Sequence, residues 1–222
     1  MDLFVQQIVN FGISETTISL VLMLPIVATF IAFARQVIGI RGFGIYITLI
    51  VAFAFVATQL KYGLVVFFVV ILAGTFFRLL IKKMRILYLP RMAIILTGVT
   101  FAVFLMFFFG SYLKIKGLQV ISIFPILIMT LIVERFVAAQ IERDVKTAVL
   151  MTLETLILAI ISYFIINWIF LQQLLLNFSF ISIALVFLLN YILGRWTGLR
   201  ISEYFRFREL LEYLEMSSKK KK

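Results

Sequence analysis

The chain has 222 residues, 64% of them hydrophobic and 14% charged, with a mean hydropathy of +1.17 and a formal net charge of +11. That composition excludes a water-soluble domain built around a buried core. Since a membrane crossing needs about 20 apolar residues, the length predicts an all-α polytopic membrane bundle with almost no soluble mass. Cys and His are both absent, which excludes disulfides, thiolate nucleophiles, zinc–thiolate sites and haem ligation by either residue.

In chain order, the first element is a short segment, MDLFVQQIVNFGISE, mildly amphipathic and charged only at Asp2 and Glu15. Ser14 stands where a helix N-cap is expected. Seven spans follow, at about 16–34, 43–60, 64–81, 91–109, 118–133, 147–167 and 173–193. Each is too long for a strand and lacks the alternation of a membrane barrel. The first has no basic stretch before it and no small-residue cleavage pattern after it, so it reads as a retained span and not as a signal peptide. Pro25 and Pro125 fall inside the first and fifth spans, where the missing backbone donor predicts a kink. Pro90 suits the start of the fourth.

Lys and Arg are distributed very unevenly over the connections. One side of the seven spans holds 18 of them and the other holds only Lys61, Lys114 and Lys116. Basic residues collect on the cytoplasmic side, so the expected topology has the N-terminus outside and the C-terminus in the cytoplasm. The expected division is an extracytoplasmic segment at 1–15, a seven-helix domain at 16–194 and a cytoplasmic tail at 195–222. That tail, RWTGLRISEYFRFRELLEYLEMSSKKKK, reads as an amphipathic helix for the membrane surface or the bundle, ending in a lysine run suited to anionic lipid.

Four places carry polar chemistry. The connection FARQVIGIRGFGIY sets Arg35 and Arg41 among Gly39, Gly42 and Gly44; it reads as a tight turn with inward positive charge, or as a cradle for an anionic group. It is too short for a dinucleotide or P-loop fingerprint. RLLIKKMRILYLPRM alternates basic and aliphatic residues, as headgroup contact requires, and offers too little surface to bind nucleic acid. ERFVAAQIERDVK has helical spacing: Glu134, Ala138, Glu142 and Lys146 form one stripe, with Arg135, Ala139 and Arg143 beside it. Glu142 and Lys146 stand in the favourable order for an i, i+4 pair. The segment predicts a helical extension of the fifth span that turns near Arg143 or Asp144 into the sixth. Finally Glu154, in MTLETL, is the one formal charge well inside a span. It reads either as a structural bond to a neighbouring helix, with Thr152 and Thr155 as local partners, or as an ion or substrate site.

Enzymatic classes find little support. Intramembrane proteolysis needs paired aspartates, a serine with a base, or a histidine-rich metal site; a retinal pigment needs a lysine that LLLNFSFISIALVFLLNYILG lacks. Lipid-phosphate chemistry has no motif behind it. Transport is the alternative function, using Glu154 and the proline-containing spans, with a weak similarity between LPIVATFIAFARQ and FPILIMTLIVERF.

Four segments in order, LPIVATFIAFARQVIGIRGFGIYITLIVAFAFVATQLKYGL, LYLPRMAIILTG, FPILIMTLIVERFVAAQIERDVKTA and RWTGLRISEYFRFRELL, carry a resemblance to the bacterial seven-transmembrane domain usually fused to an inactive transglutaminase-like domain. It runs from about Leu24 to Leu211. The resemblance implies an N-terminal, extracytoplasmic transglutaminase-like partner, and a genetic association with an ATP-grasp ligase similar to those that add glutamate to peptides. Only 15 residues precede the first span here, where the family pattern has its outer domain. The family supplies no catalytic residue and no cofactor. Its characteristic positions, Arg35, Gly39, Gly42, Gly44, Arg91, Glu134, Arg135, Gln140, Glu142, Arg143, Arg200, Glu203, Tyr204 and Arg206, gather on the expected cytoplasmic side. The expectation is therefore a non-enzymatic scaffold or signalling module that docks a soluble partner on a face formed by Arg35, Arg41, Glu134, Arg135, Glu142, Arg143, Arg200, Glu203, Tyr204 and Arg206, where the ERFVAAQIERDVK stretch is expected first to hold the protein's own tail, Arg200, Arg206 and Arg208 pairing with Glu134, Glu142 or Asp144.

Overall fold

The computed structural model describes residues 2–84, 86–114, 123–142 and 144–195. Among them every regular element is helical: α1 (Leu3–Asn10), α2 (Glu15–Phe33) with a π-helical turn at Ala34–Ile38, α3 (Ile45–Thr58), α4 (Leu60–Ile81), α5 (Tyr88–Tyr112), α6 (Ile123–Glu142), α7 (Val145–Ile166), α8 (Ile169–Asn177) and α9 (Ser179–Gly194). The chain divides into a terminal unit, Met1–Arg41 with the segment from Ile169 onward, and a central unit, Gly42–Trp168.

In the terminal unit α2 packs against α8 and α9. Ser14 caps α2 as expected, its Oγ accepting from Thr17 N at 3.3 Å. The helix runs through Pro25 without a break. Thr29 Oγ1 donates to Pro25 O at 2.8 Å and accepts from Asn190 Nδ2 at 2.7 Å, joining α2 to α9 by a polar bond within apolar surfaces. The short amphipathic opening becomes α1, whose Val5 is buried and whose Phe4 ring lies 5.0 Å from that of Phe180.

The expected continuous span at 173–193 is instead two helices, α8 and α9, bent by 106° at Phe178. Apolarity encodes burial in lipid but not a straight path. Here Ser179, buried at the start of α9, donates its hydroxyl to Asp2 Oδ2 at 2.7 Å, and Asp2 N donates to Leu176 O at 3.0 Å. The N-terminal segment thus satisfies polar groups that the bend frees, as a break within lipid requires.

In the central unit α4 packs against α5 and α6, and α3 packs against α6 and α7. Close approach rests on small residues. A Cβ on Gly74 of α4 would stand 2.5 Å from Val133 Cγ1 of α6, and one on Gly98 of α5 would meet the Phe77 ring of α4. Phe55, Phe67, Val133 and Phe136 fill the interior. The outside is equally apolar, with Phe101, Phe104 and Phe108 exposed along one side of α5.

Among the described residues five helices are long and apolar enough to cross a membrane, and the bent α8–α9 pair makes a sixth candidate. The seventh, α3, has 14 residues and spans about 21 Å at 1.5 Å per residue, short of the roughly 30 Å hydrocarbon layer. Pro125, expected mid-span, lies buried in α6, and the residues that precede Ile123 are outside the described ones.

Candidate functional site: the polar contacts of the central unit

Gly42 and Phe43 enter the central unit as non-helical backbone ahead of α3 and lie beside the third turn of α7. A Cβ on Gly42 would stand 2.9 Å from Thr155 Oγ1 and 3.6 Å from Thr155 N, so only glycine fits this approach. Gly44, at φ 124°, then turns the chain into α3 through backbone that L side chains rarely adopt. The two amide donors are answered from α7: Gly42 N donates to Glu154 Oε2 at 3.0 Å, and Phe43 N to Thr155 Oγ1 at 2.9 Å. Thr155 Oγ1 also donates to Met151 O at 2.7 Å, so its hydroxyl works in both directions. Glu154 stands nine residues into α7, about 14 Å along its axis. At that depth, open backbone is tolerated only where its polar groups find partners. Of the glycine-rich turn read from the sequence, Gly42 meets the Glu154 side chain through its amide. Phe43 anchors the same loop by packing on the cluster of Phe136, Ala139 and Ala148 where α6 meets α7.

That junction is the expected elbow. α6 continues helically to Glu142, Asp144 is extended at φ −156° and ψ 166°, and α7 starts at Val145. Glu142 and Lys146 consequently belong to different helices, and the expected i, i+4 pair is not a pair within one helix. Glu134, Arg135 and Glu142 are exposed on α6, within an arc of about 100°. Gln140 lies on the opposite side, only 4% exposed. Arg78 of α4 reaches it with two bonds, Nη1 to Gln140 Oε1 at 2.7 Å and Nη2 to Gln140 O at 2.9 Å. Arg91 of α5 stands close enough for its positive charge to act on Arg78, and donates through Nη2 to Ile86 O at 3.1 Å.

The sequence presents Arg78 only as an inward positive charge and as part of the headgroup-contacting stretch RLLIKKMRILYLPRM, and its bond to Gln140 was missed. Its signal was position: it precedes the Lys82–Lys83 pair by a full turn, inside GTFFRLLI, where a charge needs a partner. Of the other expected face residues, Arg35 is half-buried in the π-helical turn and Arg41 is exposed, both in the terminal unit. Gln36, between them, donates through Nε2 to Leu193 O at 2.7 Å in that unit. Arg143, Arg200, Glu203, Tyr204 and Arg206, with the tail that contains the last four, lie outside the described residues.

Long apolar helices with apolar outer faces, and polar contacts that close on one another inside them, define an integral membrane protein of the all-α polytopic class. The chain belongs to the family described as 7 transmembrane helices usually fused to an inactive transglutaminase, whose family model matches residues 2–211. No curated protein and no solved structure matches the chain.

Proposed function

We propose that the chain is a non-enzymatic scaffold or signal-transducing module of the bacterial inner membrane, with its N-terminus outside and a cytoplasmic face that docks a soluble partner. The 18 to 3 distribution of basic residues supports this orientation. The observation that carries the reading is the pair of bonds from Gly42 N to Glu154 and from Phe43 N to Thr155. They give the most deeply placed carboxylate a structural task and fix the loop before α3 to the wall of α7. A connection held in this way is a rigid support for a face that includes the exposed Glu134, Arg135 and Glu142. By the charge distribution, Arg35, Arg41, Arg143, Arg200, Glu203, Tyr204 and Arg206 are proposed for the same side of the membrane. The proposed division is a 1–15 outer segment, a 16–194 membrane domain and a cytoplasmic 195–222 tail.

The partner we favour is an ATP-grasp ligase acting on peptides or envelope precursors, with a transglutaminase-like domain as the outer counterpart. Co-purification tests the docking: wild-type membranes retain the co-expressed ligase, and Glu134→Arg with Glu142→Arg, which reverses two exposed charges of the face, lowers its recovery about tenfold or more. Unchanged recovery removes this face from the reading.

Transport of a small solute or peptide is the second reading, favoured by the 106° break between α8 and α9, since transporters place binding sites at interrupted helices. Peptide uptake into proteoliposomes that is lost in Glu154→Gln would establish it over the scaffold.

A further inference from the structure

Among the described residues three buried side-chain atoms lack a hydrogen-bond partner: Arg91 Nε, Gln140 Nε2 and Ser162 Oγ. Two of the three are donors that flank Arg78, one bonded to it through the same amide group and the other within reach of its charge. The partners that Arg78 and Arg91 do have are neutral oxygens: the Gln140 amide and carbonyl, and the Ile86 carbonyl. Arg78 and the Gln140 amide therefore meet directly, and the charge of Arg91 acts on Arg78 from the start of α5. An isolated cation pair of this kind is costly within a low-dielectric layer unless an anion joins it.

Gln140 also lines a groove of about 300 Å³ between α4, α6 and α7. Its walls include Phe68, Leu72, Val149 and Leu153, each exposed at its outer edge. The two hydroxyls of the lining are turned back on their own helices, Thr75 Oγ1 donating to Ile71 O and Thr152 Oγ1 to Ala148 O, both at 2.8 Å. The groove thus presents hydrocarbon along its length, with Gln140 in its wall and the unpartnered Nε2 of that residue buried.

We propose that this groove is a site for one anionic phospholipid, its acyl chain lying along Leu72 and Leu153 and its phosphate taking hydrogen bonds from Arg78, Arg91 and Gln140. Charge-assisted donors supply the headgroup preference, and the apolar walls supply the chain contact. Lipid, and not free phosphate, is the occupant because the donors adjoin an open apolar groove on a membrane helix.

The test is native mass spectrometry of the full chain, released from detergent after incubation with equimolar phosphatidylglycerol and phosphatidylcholine. The expected result is one retained phosphatidylglycerol, favoured about tenfold over phosphatidylcholine, with the preference lost in Arg91→Gln and in Gln140→Leu. Val149→Trp, which fills the groove without touching the donors, lowers retention of both lipids. Lys61→Gln, a basic change at the start of α4, leaves the preference intact. Circular dichroism and a monodisperse elution profile confirm folding of each variant, and Arg91→Gln alone decides the matter if Gln140→Leu fails that control. Equal retention of the two lipids, an unchanged preference in Arg91→Gln, or displacement of phosphatidylglycerol by millimolar inorganic phosphate overturns the proposal.

Discussion

Gly42 has no room for a side chain, because a Cβ would meet Thr155 Oγ1 at 2.9 Å with the α7 backbone just behind it. Gly42→Ala is therefore expected to push the loop off α7, lengthening the bonds to Glu154 and Thr155 and costing about 1–3 kcal/mol. Removing the acceptor instead leaves the Gly42 N–H inside the bundle without this partner. Glu154→Leu should destabilise the fold by about 1–3 kcal/mol, while Glu154→Gln, which keeps a carbonyl oxygen at the same reach, should cost about 1 kcal/mol or less. Denaturant unfolding in mixed micelles measures all three. Equal losses in the Leu and Gln variants would mean that the negative charge, and not the acceptor, holds the loop. Both partners were visible in the sequence, the glycines as a cradle and Glu154 as an anomalous carboxylate. Their pairing was not, because they are 112 residues apart and no local periodicity links a loop to a helix at that distance. Arg78 was missed for a related reason: a charge near a helix end looks the same whether it reaches water or bends back to Gln140.

Between elements, small residues set the distances. Gly74→Ala drives a methyl group into Val133 Cγ1 and is expected to spread α4 from α6, with a loss of about 1–3 kcal/mol. Val133→Ala removes the obstructing methyl groups at the cost of a small cavity. If the clash is the cause, the double variant should recover about 1 kcal/mol or more relative to the sum of the singles, a coupling that a double-mutant cycle on unfolding reads directly. Additive losses would show that α4 and α6 already adjust elsewhere. The spans themselves were legible, since about 20 apolar residues between charged connections have few alternatives in a membrane, and the elbow at Asp144 followed from helical spacing. The bend at Phe178 and the shortness of α3 were not. Both depend on which polar groups outside the helix accept or donate where it stops: Asp2 for Ser179, and Glu154 and Thr155 for the loop before Gly44. Hydropathy averages over such points.

At the scale of the molecule, the outer faces of the helices are as apolar as their interiors. Among the described residues, no more than 44% of an 18-residue apolar stretch in any of the five long helices is buried within the protein, so most of the remaining apolar surface must meet lipid, and the charged connections must lie at its two edges. The sides can then be told apart chemically. The chain has no Cys, which makes every introduced thiol unique without further substitutions. Lys61 stands at the start of α4 and Lys83 just beyond its end, separated by a full helix of 22 residues, or about 33 Å. With the N-terminus outside, Lys61→Cys should react with a membrane-impermeant maleimide on intact cells, and Lys83→Cys only after the membrane is opened. Neither substitution removes a contact described above, so protein levels should stay comparable. The reverse pattern would invert the assignment of faces and place Glu134, Arg135 and Glu142 outside, beyond the reach of an ATP-grasp ligase. Labelling of both in intact cells would mean that α4 does not cross the bilayer, and the phospholipid groove along α4, α6 and α7 would lose the membrane setting on which it depends.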